Sequence, residues 1–503
     1  MQRRANTGDY VGFHAAERPD GIAFIENSRV ISYAQLSRDL AKFTSALRQL
    51  GLEPGNRVAV GCEAVYVHWL LLAACERLGI ATASYVRSEA TEATPIFSGA
   101  EMAFAEPDFP TTGARRQQVI TAAWLDEVFG GTGAEPDLPT GKPTDAARII
   151  RTSGTTGASK RLMLTRGMYD AWIERWGWSL GVTSHTRYLL MMPFASTGRH
   201  TLTNAVLRAG GTVVAMKFES GAAIANAVAR HSITLLTLLP IQLKQVLDAL
   251  PADFEKPAQL TVATIGAAVA DSLVEKAIAR LATELVSYYG SNEIPFIAEL
   301  RLPASRHLMT VFPWVEVEIV DDDGMPLPAG TTGWIRLKVD TMATGYLDDP
   351  ETTQRMFRDG WFYPGDVGVL QSRRQLHVMG RGDELLNIGG KKIAPGYIEA
   401  LVARHLESAD VGVCSLPNPE GVEEIHVALA APDGDDSELR RRLARAFAGF
   451  PYGNIRPVKV EWIPRNANGK ILRGALKKVV AAATRRDPSP GPAQTSRQKP
   501  VPE

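Results

Sequence analysis

Residues 210–266, "GGTVVAMKFESGAAIANAVARHSITLLTLLPIQLKQVLDALPADFEKPAQLTVATIG", decide the fold. The runs "GGTVVAM", "ITLLTLL" and "LTVATIG" are short and apolar and fit buried strands. "AAIANAVARH" and "IQLKQVLDAL" between them read as helices. Parallel neighbours in a sheet need a crossover, usually a helix, so this alternation argues for an α/β fold with mostly parallel sheets. The same rhythm comes earlier. From Ser32, the residues Leu36, Leu40, Phe43, Leu47 and Leu50 step along one face of a helix, with Ser32 as N-cap and Gly51 as its stop. "NRVAVGC" then reads as a strand and "AVYVHWLLLAACERLG" as the next helix.

At 503 residues the chain exceeds one compact core and is expected to form two or three domains. Hydrophobic residues at 45% and charged residues at 22% are ordinary for a globular protein. Lys plus Arg and Asp plus Glu both total 55, so no global field draws the chain to nucleic acid or anionic lipid. A small-molecule substrate is the expectation, with no nucleic-acid partner, no membrane association, and a monomer or homodimer. Cys62, Cys75 and Cys414 are few, odd in number and widely spaced, which suits buried packing in a reducing cytoplasm. The N-terminal "MQRRANTGDYVGF" lacks the apolar run of a secretory signal, and "HWLLLAACERLGIATA" and "ITLLTLLPIQL" are interrupted well short of about 20 residues.

Near residue 315 the texture changes. "VEVEIVDDDGMPLPAGTTGWIRLKV" alternates with period two around a turn-rich middle, which suggests antiparallel strands and a small β unit. After "GRGDELLNIGG", the strands "VGVCSL" and "IHVALAA" and the helix "DSELRRRLARAFAGF" suffice for a small α+β domain. The expected division is a large N-terminal domain, 1–382, with the β unit at about 310–382, then a C-terminal domain, 383–484. The Pro- and Ser-rich residues 485–503 are expected to be disordered.

Five segments hold chemistry-bearing residues. In "RTSGTTGASKRLMLT", residues 151–165, Gly154 and Gly157 let backbone N–H groups face an anion, Thr152, Ser153, Thr155 and Thr156 add hydroxyls, and Lys160 adds a mobile charge. A phosphate cradle and a turn-rich linker both fit, and the Walker A register is absent. "VSYYGSNE", residues 286–293, offers an aromatic face and a carboxylate, or simply packing tyrosines. "DGWFYPGDVG", residues 359–368, puts Asp366 in a turn where it is either a capping carboxylate or an acceptor for two vicinal hydroxyls. "MGRGDELLNIGGKKIAPGYIE", residues 379–399, carries Arg381, Asp383 and a double glycine, Gly389 and Gly390, in an expected strand, marking a bulge or a close molecular approach. "IPRNANGKILRG", residues 463–474, sets Lys470 after a hairpin-type "NG".

In this order and spacing the segments resemble the AMP-forming adenylating superfamily of acyl- and aryl-CoA ligases, peptide-synthetase adenylation domains and luciferases, from about Phe13 to Lys478. "TSGTTGASKR" matches the signature T-S-G-T-T-G-x-P-K-G except at Ser159 and Arg161, and "ATGYLDDPETT", residues 343–353, matches G-Y-x-x-x-P-x-x-T. The resemblance implies an acyl adenylate made from ATP, Mg²⁺ and a carboxylic acid, then transfer to CoA. Thr152, Ser153, Gly154, Thr155, Thr156, Gly157 and Lys160 would hold the β- and γ-phosphates, with Asn292 beside them. Glu293 would bind Mg²⁺. Tyr289 and Gly290, with Gly266, Ala267 and Ala268 opposite, would hold adenine; Asp366 and Arg381 would fix the ribose. Lys470 would reach both the acid and the α-phosphate. The resemblance also implies that the C-terminal domain acts as a mobile lid, hinged at Asp383, with Gly389 and Gly390 lining the CoA channel.

The departures are Asn292 for a usual threonine, Arg161 for a glycine and Tyr397 for a glutamate. Arg161 either adds charge near the phosphates or points outward. Amino-acid-activating members place an aspartate where "FAST" has Ala195, and an unpaired buried ammonium is costly, so an acyl or aryl acid is expected. The acid pocket is expected at Phe194, Ala195, Ser196 and His200, with His200 and Arg199 either lining it or facing solvent. CoA is the expected acceptor, with a carrier protein or an amine as the alternative; a nucleotide-binding protein without chemistry is the reading from another class.

Overall fold

In the computed structural model, residues 5–486 are described except 88–98, 110–112, 134–137, 153–159, 192–193, 218, 266–268, 270, 303–307, 389–390, 404–405, 407–409, 419–422, 431–440, 444, 446, 448–454 and 466–470. The stretch 210–266 folds as read. Strands Thr212–Met216, Leu235–Leu238 and Thr261–Ile265 alternate with helices Gly221–Arg230 and Pro240–Asp248. Strand Arg187–Met191 lies between the first two of these strands and pairs parallel with both. Thr261–Ile265 in turn pairs parallel with Glu284–Tyr289.

A second, six-stranded sheet runs in the order Arg116–Val119, Met102–Ala105, Arg57–Gly61, Ala81–Ser84, Ala146–Thr152, Lys160–Thr165. Only its last pairing is antiparallel. One apolar cluster draws Phe24, Tyr188 and Val213 from the large sheet and Val58 and Phe104 from the small one. Helix Val65–Arg77 lies in that core and is buried at every position, its apolar residues on all sides and the polar His68, Glu76 and Arg77 buried with them. Helix Tyr33–Gln49 buries Leu36, Leu40, Phe43 and Leu47, and the Ser32 side chain accepts from the Gln35 N–H at 3.2 Å. All three cysteines are free and buried.

The change of texture near residue 315 marks antiparallel pairing. Glu316–Val320 pairs with Thr332–Lys338, which pairs with Asp366–Ser372, which pairs with Gln375–Arg381. These strands do not close into a sheet of their own. Met309–Val311 joins Gln375–Arg381 to Ala298–Leu302, making one continuous 15-stranded sheet among the described residues.

Residues from Leu386 onward build their own core. Strands Asp410–Pro417, Glu423–Ala430 and Ile455–Lys459 carry Val413, Val427 and Val458 into two clusters drawn wholly from residues 386–483. The strand expected to run through Gly389 and Gly390 is instead two antiparallel strands, Leu386–Ile388 and Lys391–Ile393; the glycines themselves lie outside the described residues. Helix Arg473–Arg486 extends two residues into the segment expected to be a disordered tail. Among the described residues no helix is long and apolar enough to cross a membrane.

Candidate active site

Strands Ala146–Thr152 and Lys160–Thr165 pair with Thr152 opposite Lys160, so the two ends of the glycine-rich loop are held side by side. Ser153, Gly154, Thr155, Thr156 and Gly157 lie outside the described residues. Strand Glu284–Tyr289 ends at Gly290, where a Cβ would stand 2.0 Å from the Pro295 carbonyl oxygen. Only glycine permits that approach. The turn carries Asn292, whose Nδ2 donates to the Arg151 carbonyl at 2.8 Å and so ties this turn to the base of the loop. The buried Glu293 follows, its Oε1 accepting from the Tyr346 hydroxyl at 2.6 Å. The Lys160 Nζ lies 5.2 Å from the centroid of the Tyr346 ring.

Arg161 is directed at the segment 343–353. Its guanidinium pairs with Asp348 and its carbonyl accepts from the Leu347 N–H at 2.8 Å.

Asp366 and Arg381 are register partners at the end of an antiparallel pair, reached through Gly365 at φ +80°. The Arg381 Nε stands 3.6 Å from Asp366 Oδ1, and the same guanidinium donates to the Pro364 carbonyl. Asp366 Oδ2 accepts from the Tyr289 hydroxyl at 2.6 Å. Burial, then the Asp366 charge, pushes the Tyr289 hydroxyl well above its ordinary pKa, so it remains a donor. Thus one strand end links two groups. Tyr289 reaches the Asp366–Arg381 pair, and the turn after it delivers Asn292 and Glu293 to the loop base. Asp383 is exposed; Gly266, Ala267, Ala268, Gly389, Gly390 and Lys470 lie outside the described residues. Arg465 and Ile471, which flank the Lys470 segment, form an antiparallel bridge.

The "FAST" segment rests on a buried polar network that the sequence reading missed. Phe194 is fully buried between the rings of His68 and His200, at centroid distances of 5.2 and 5.3 Å. Ser196 is exposed and starts helix Thr197–Arg208 without a side-chain cap bond. The Tyr169 oxygen accepts from Asn204 Nδ2 at 2.9 Å and is hydrogen-bonded to His200 Nδ1 at 2.6 Å. Of the two expected settings, His200 does not face solvent: it is 3% exposed and held by Tyr169.

Arg148, 1% exposed, donates to Ser84 Oγ at 2.9 Å, Thr82 Oγ1 at 3.2 Å and the Ala195 carbonyl at 3.4 Å. His68 donates from Nδ1 to the Cys62 carbonyl at 2.9 Å and accepts at Nε2 from Ser84 at 2.9 Å. Burial, with the nearby Arg148 charge, brings His68 down to about 3. Burial, then Arg148, His68 and Arg208, hold His200 well below the usual histidine range. The available signals were an arginine within the apolar "AARII" and a histidine within "VYVHWLLL".

Among the described residues no cluster of three His, Cys, Asp or Glu side chains forms a ready-made metal site. Glu293 is a lone buried carboxylate at the loop base. That donor set suits Mg²⁺, which typically takes one or two carboxylates and completes its shell with substrate phosphates and water.

Comparison with known proteins gives the chain's family and fold. The profile of the AMP-binding enzyme family matches residues 13–347, and the chain belongs to that family. It is 26% identical over 510 residues to the fatty acid–[acyl-carrier-protein] ligase ScoC of Streptomyces coeruleorubidus, covering 92% of this chain and 94% of that protein. It is 27% identical over 500 residues to the feruloyl-CoA synthase of an Amycolatopsis species, covering 95% and 99%. Its fold is that of the anthranilate CoA ligase AuaEII in complex with anthranoyl-AMP, with a TM-score of 0.83, 18% identity, and 96% and 99% of the two chains covered.

Proposed function

We propose that the protein is an ATP-dependent acid:CoA ligase that activates an acyl or aryl carboxylic acid as its adenylate and transfers the acyl group to CoA. The observation that carries this reading is the junction at one strand end of the Asp366–Arg381–Tyr289 group with Lys160, Asn292 and Glu293. The matched family and the ligase names of its relatives support it.

In the first step a carboxylate oxygen attacks the α-phosphorus of ATP, the bond to the β-phosphate breaks, and pyrophosphate leaves. Two anions must meet, so positive charge and alignment dominate the barrier. Thr152, the loop 153–157 and Lys160 bind the β- and γ-phosphates, and Asn292 fixes the loop base through Arg151. Glu293 would hold Mg²⁺, which when bound would neutralise phosphate charge. Tyr289 and Gly290 face the adenine with residues 266–268 opposite, and the Asp366 carboxylate accepts from the ribose hydroxyls while Arg381 orients it. Lys470 supplies a point charge between the acid and the α-phosphate.

In the second step the CoA thiol sulfur bonds to the acyl carbon, the bond to AMP breaks, and the thiol proton leaves to solvent. We assign the turn at Asp383 as the hinge by which residues 383–484 exchange Lys470 for the channel at Gly389 and Gly390. Ala195, with no carboxylate to pair an ammonium, argues against an α-amino acid. We assign the acid to the surface at Ala195 and Ser196, with Phe194 and His200 buried beneath them.

Incubation with ATP, Mg²⁺, CoA and a panel of acids tests this: one AMP and one thioester should form per ATP consumed. Thioester absent while acyl adenylate accumulates would favour the second reading, a carrier-protein acceptor, which the likeness to ScoC supports.

A further inference from the structure

The segment "ATGYLDDPETT", residues 343–353, meets the loop base at both Tyr346 and Asp348. We propose that it is a brace and that Tyr346 is a positioning residue for the Glu293 carboxylate; this rests on the reading of Glu293 as the Mg²⁺ ligand.

Tyr346 touches both charged groups at the loop base. Its hydroxyl donates to Glu293 Oε1 at 2.6 Å, and its ring lies under the Lys160 ammonium at 5.2 Å. Holding Oε1 fixes the rotation of the carboxylate and leaves Oε2 as the oxygen for a cation. A carboxylate that is itself hydrogen-bonded is the usual way in which a protein orients a hard-cation ligand.

The spacing of the segment serves to lock Tyr346. Its N–H donates to Thr353 Oγ1 at 2.9 Å, and Thr353 Oγ1 donates to the Asp349 carbonyl at 2.8 Å. Asp349 also caps helix Pro350–Met356 by accepting from the Thr352 N–H at 3.0 Å, with proline at the first helical turn. A Cβ at residue 345 would lie 2.4 Å from Thr353 Cγ2, which reserves that position for Gly345. The Tyr346 ring packs edge-on against Phe357 at 5.6 Å. On its far side the segment is fastened to the residue after Lys160, through the Leu347–Arg161 hydrogen bond and the Arg161–Asp348 pair. The brace therefore sets the separation between the phosphate-loop lysine and the cation carboxylate.

Calorimetric titration of the full-length chain with ATP, with and without Mg²⁺ and with no acid present, tests this without turnover. Tyr346→Phe keeps the ring over Lys160, so metal-free ATP affinity should match the wild type and report an intact fold. The gain in affinity that Mg²⁺ brings should fall about tenfold, the order expected when an outer-shell partner is removed. Thr353→Val, which keeps the shape but removes the Oγ1 acceptor, should move it in the same direction by less. Full Mg²⁺ gain in Tyr346→Phe alongside its loss in Glu293→Gln would overturn the brace and leave the cation assignment standing. Full gain in Glu293→Gln as well would overturn both.

Discussion

Acidification from about pH 7.5 to about pH 5 is expected to remove about 2 kcal/mol of folding stability through His68, with a further loss in the same direction through His200. Burial and the neighbouring Arg148 keep both rings neutral when folded, with His68 brought down to about 3. In the unfolded chain each ring titrates near about 6.5. Both folded values are depressed, so the unfolded state binds protons that the folded state refuses. Stability is full above the unfolded value and declines as pH falls from there toward the folded value. At about pH 5 the gap for His68 is roughly 1.5 pH units, or about 2 kcal/mol at about 1.4 kcal/mol per unit. This figure depends only on the folded value of His68 lying well below 5.

Urea denaturation of the wild type and His68→Gln at the two pH values isolates the effect. Glutamine keeps one donor for the Cys62 carbonyl and one acceptor for Ser84, the two bonds that His68 makes. His231 and His426, also held low chiefly by burial, remain in both proteins and cancel in the difference. The variant should lose about 2 kcal/mol less than the wild type on acidification. An equal loss in both proteins would refute the assignment of this part of the acid response to His68.

Asp366→Ala would strand the Tyr289 hydroxyl and leave the Arg381 guanidinium without its carboxylate partner. ATP binding, measured by calorimetry, should weaken about tenfold or more, and unchanged affinity would contradict the ribose assignment. Gly290→Ala would drive a methyl group into the Pro295 carbonyl. It should lower stability by about 1–3 kcal/mol and disrupt ATP binding, both readable by melting with and without ATP. Lys470→Ala should abolish adenylate formation yet largely keep thioester formation from supplied acyl adenylate, read by rapid-quench assays of each half-reaction; equal loss of both would contradict the two-face assignment.

Local signals made the architecture legible. The Ser32 cap, the helical stepping of Leu36 to Leu47, and the strand–helix alternation of 210–266 depend on neighbours within a few residues, and the structure follows them. Pairing between distant segments was not legible. The period-two strands after residue 315 read as a small β unit, and no local signal showed that its edge joins the large sheet through Met309–Val311. Arg161 has its role set by Asp348, 187 residues away. The Tyr289–Asp366 bond spans 77 residues, so two readings of separate motifs left their contact unseen. Arg148 and His68 were hidden for another reason: each is a polar residue in an apolar segment, and only the assembled core supplies its partners at Thr82, Ser84 and Cys62. The identity of the acid lies further out of reach, because Ala195 excludes an ammonium partner without naming what fills the space.

The central claim, that the site activates a carboxylic acid as its adenylate, is tested most directly by ATP–pyrophosphate exchange across short, medium, branched and aromatic acids. The account predicts exchange that depends on both Mg²⁺ and one class of carboxylic acid, and that is lost in Lys470→Ala. Absence of exchange with every acid, in protein that binds ATP, would contradict it.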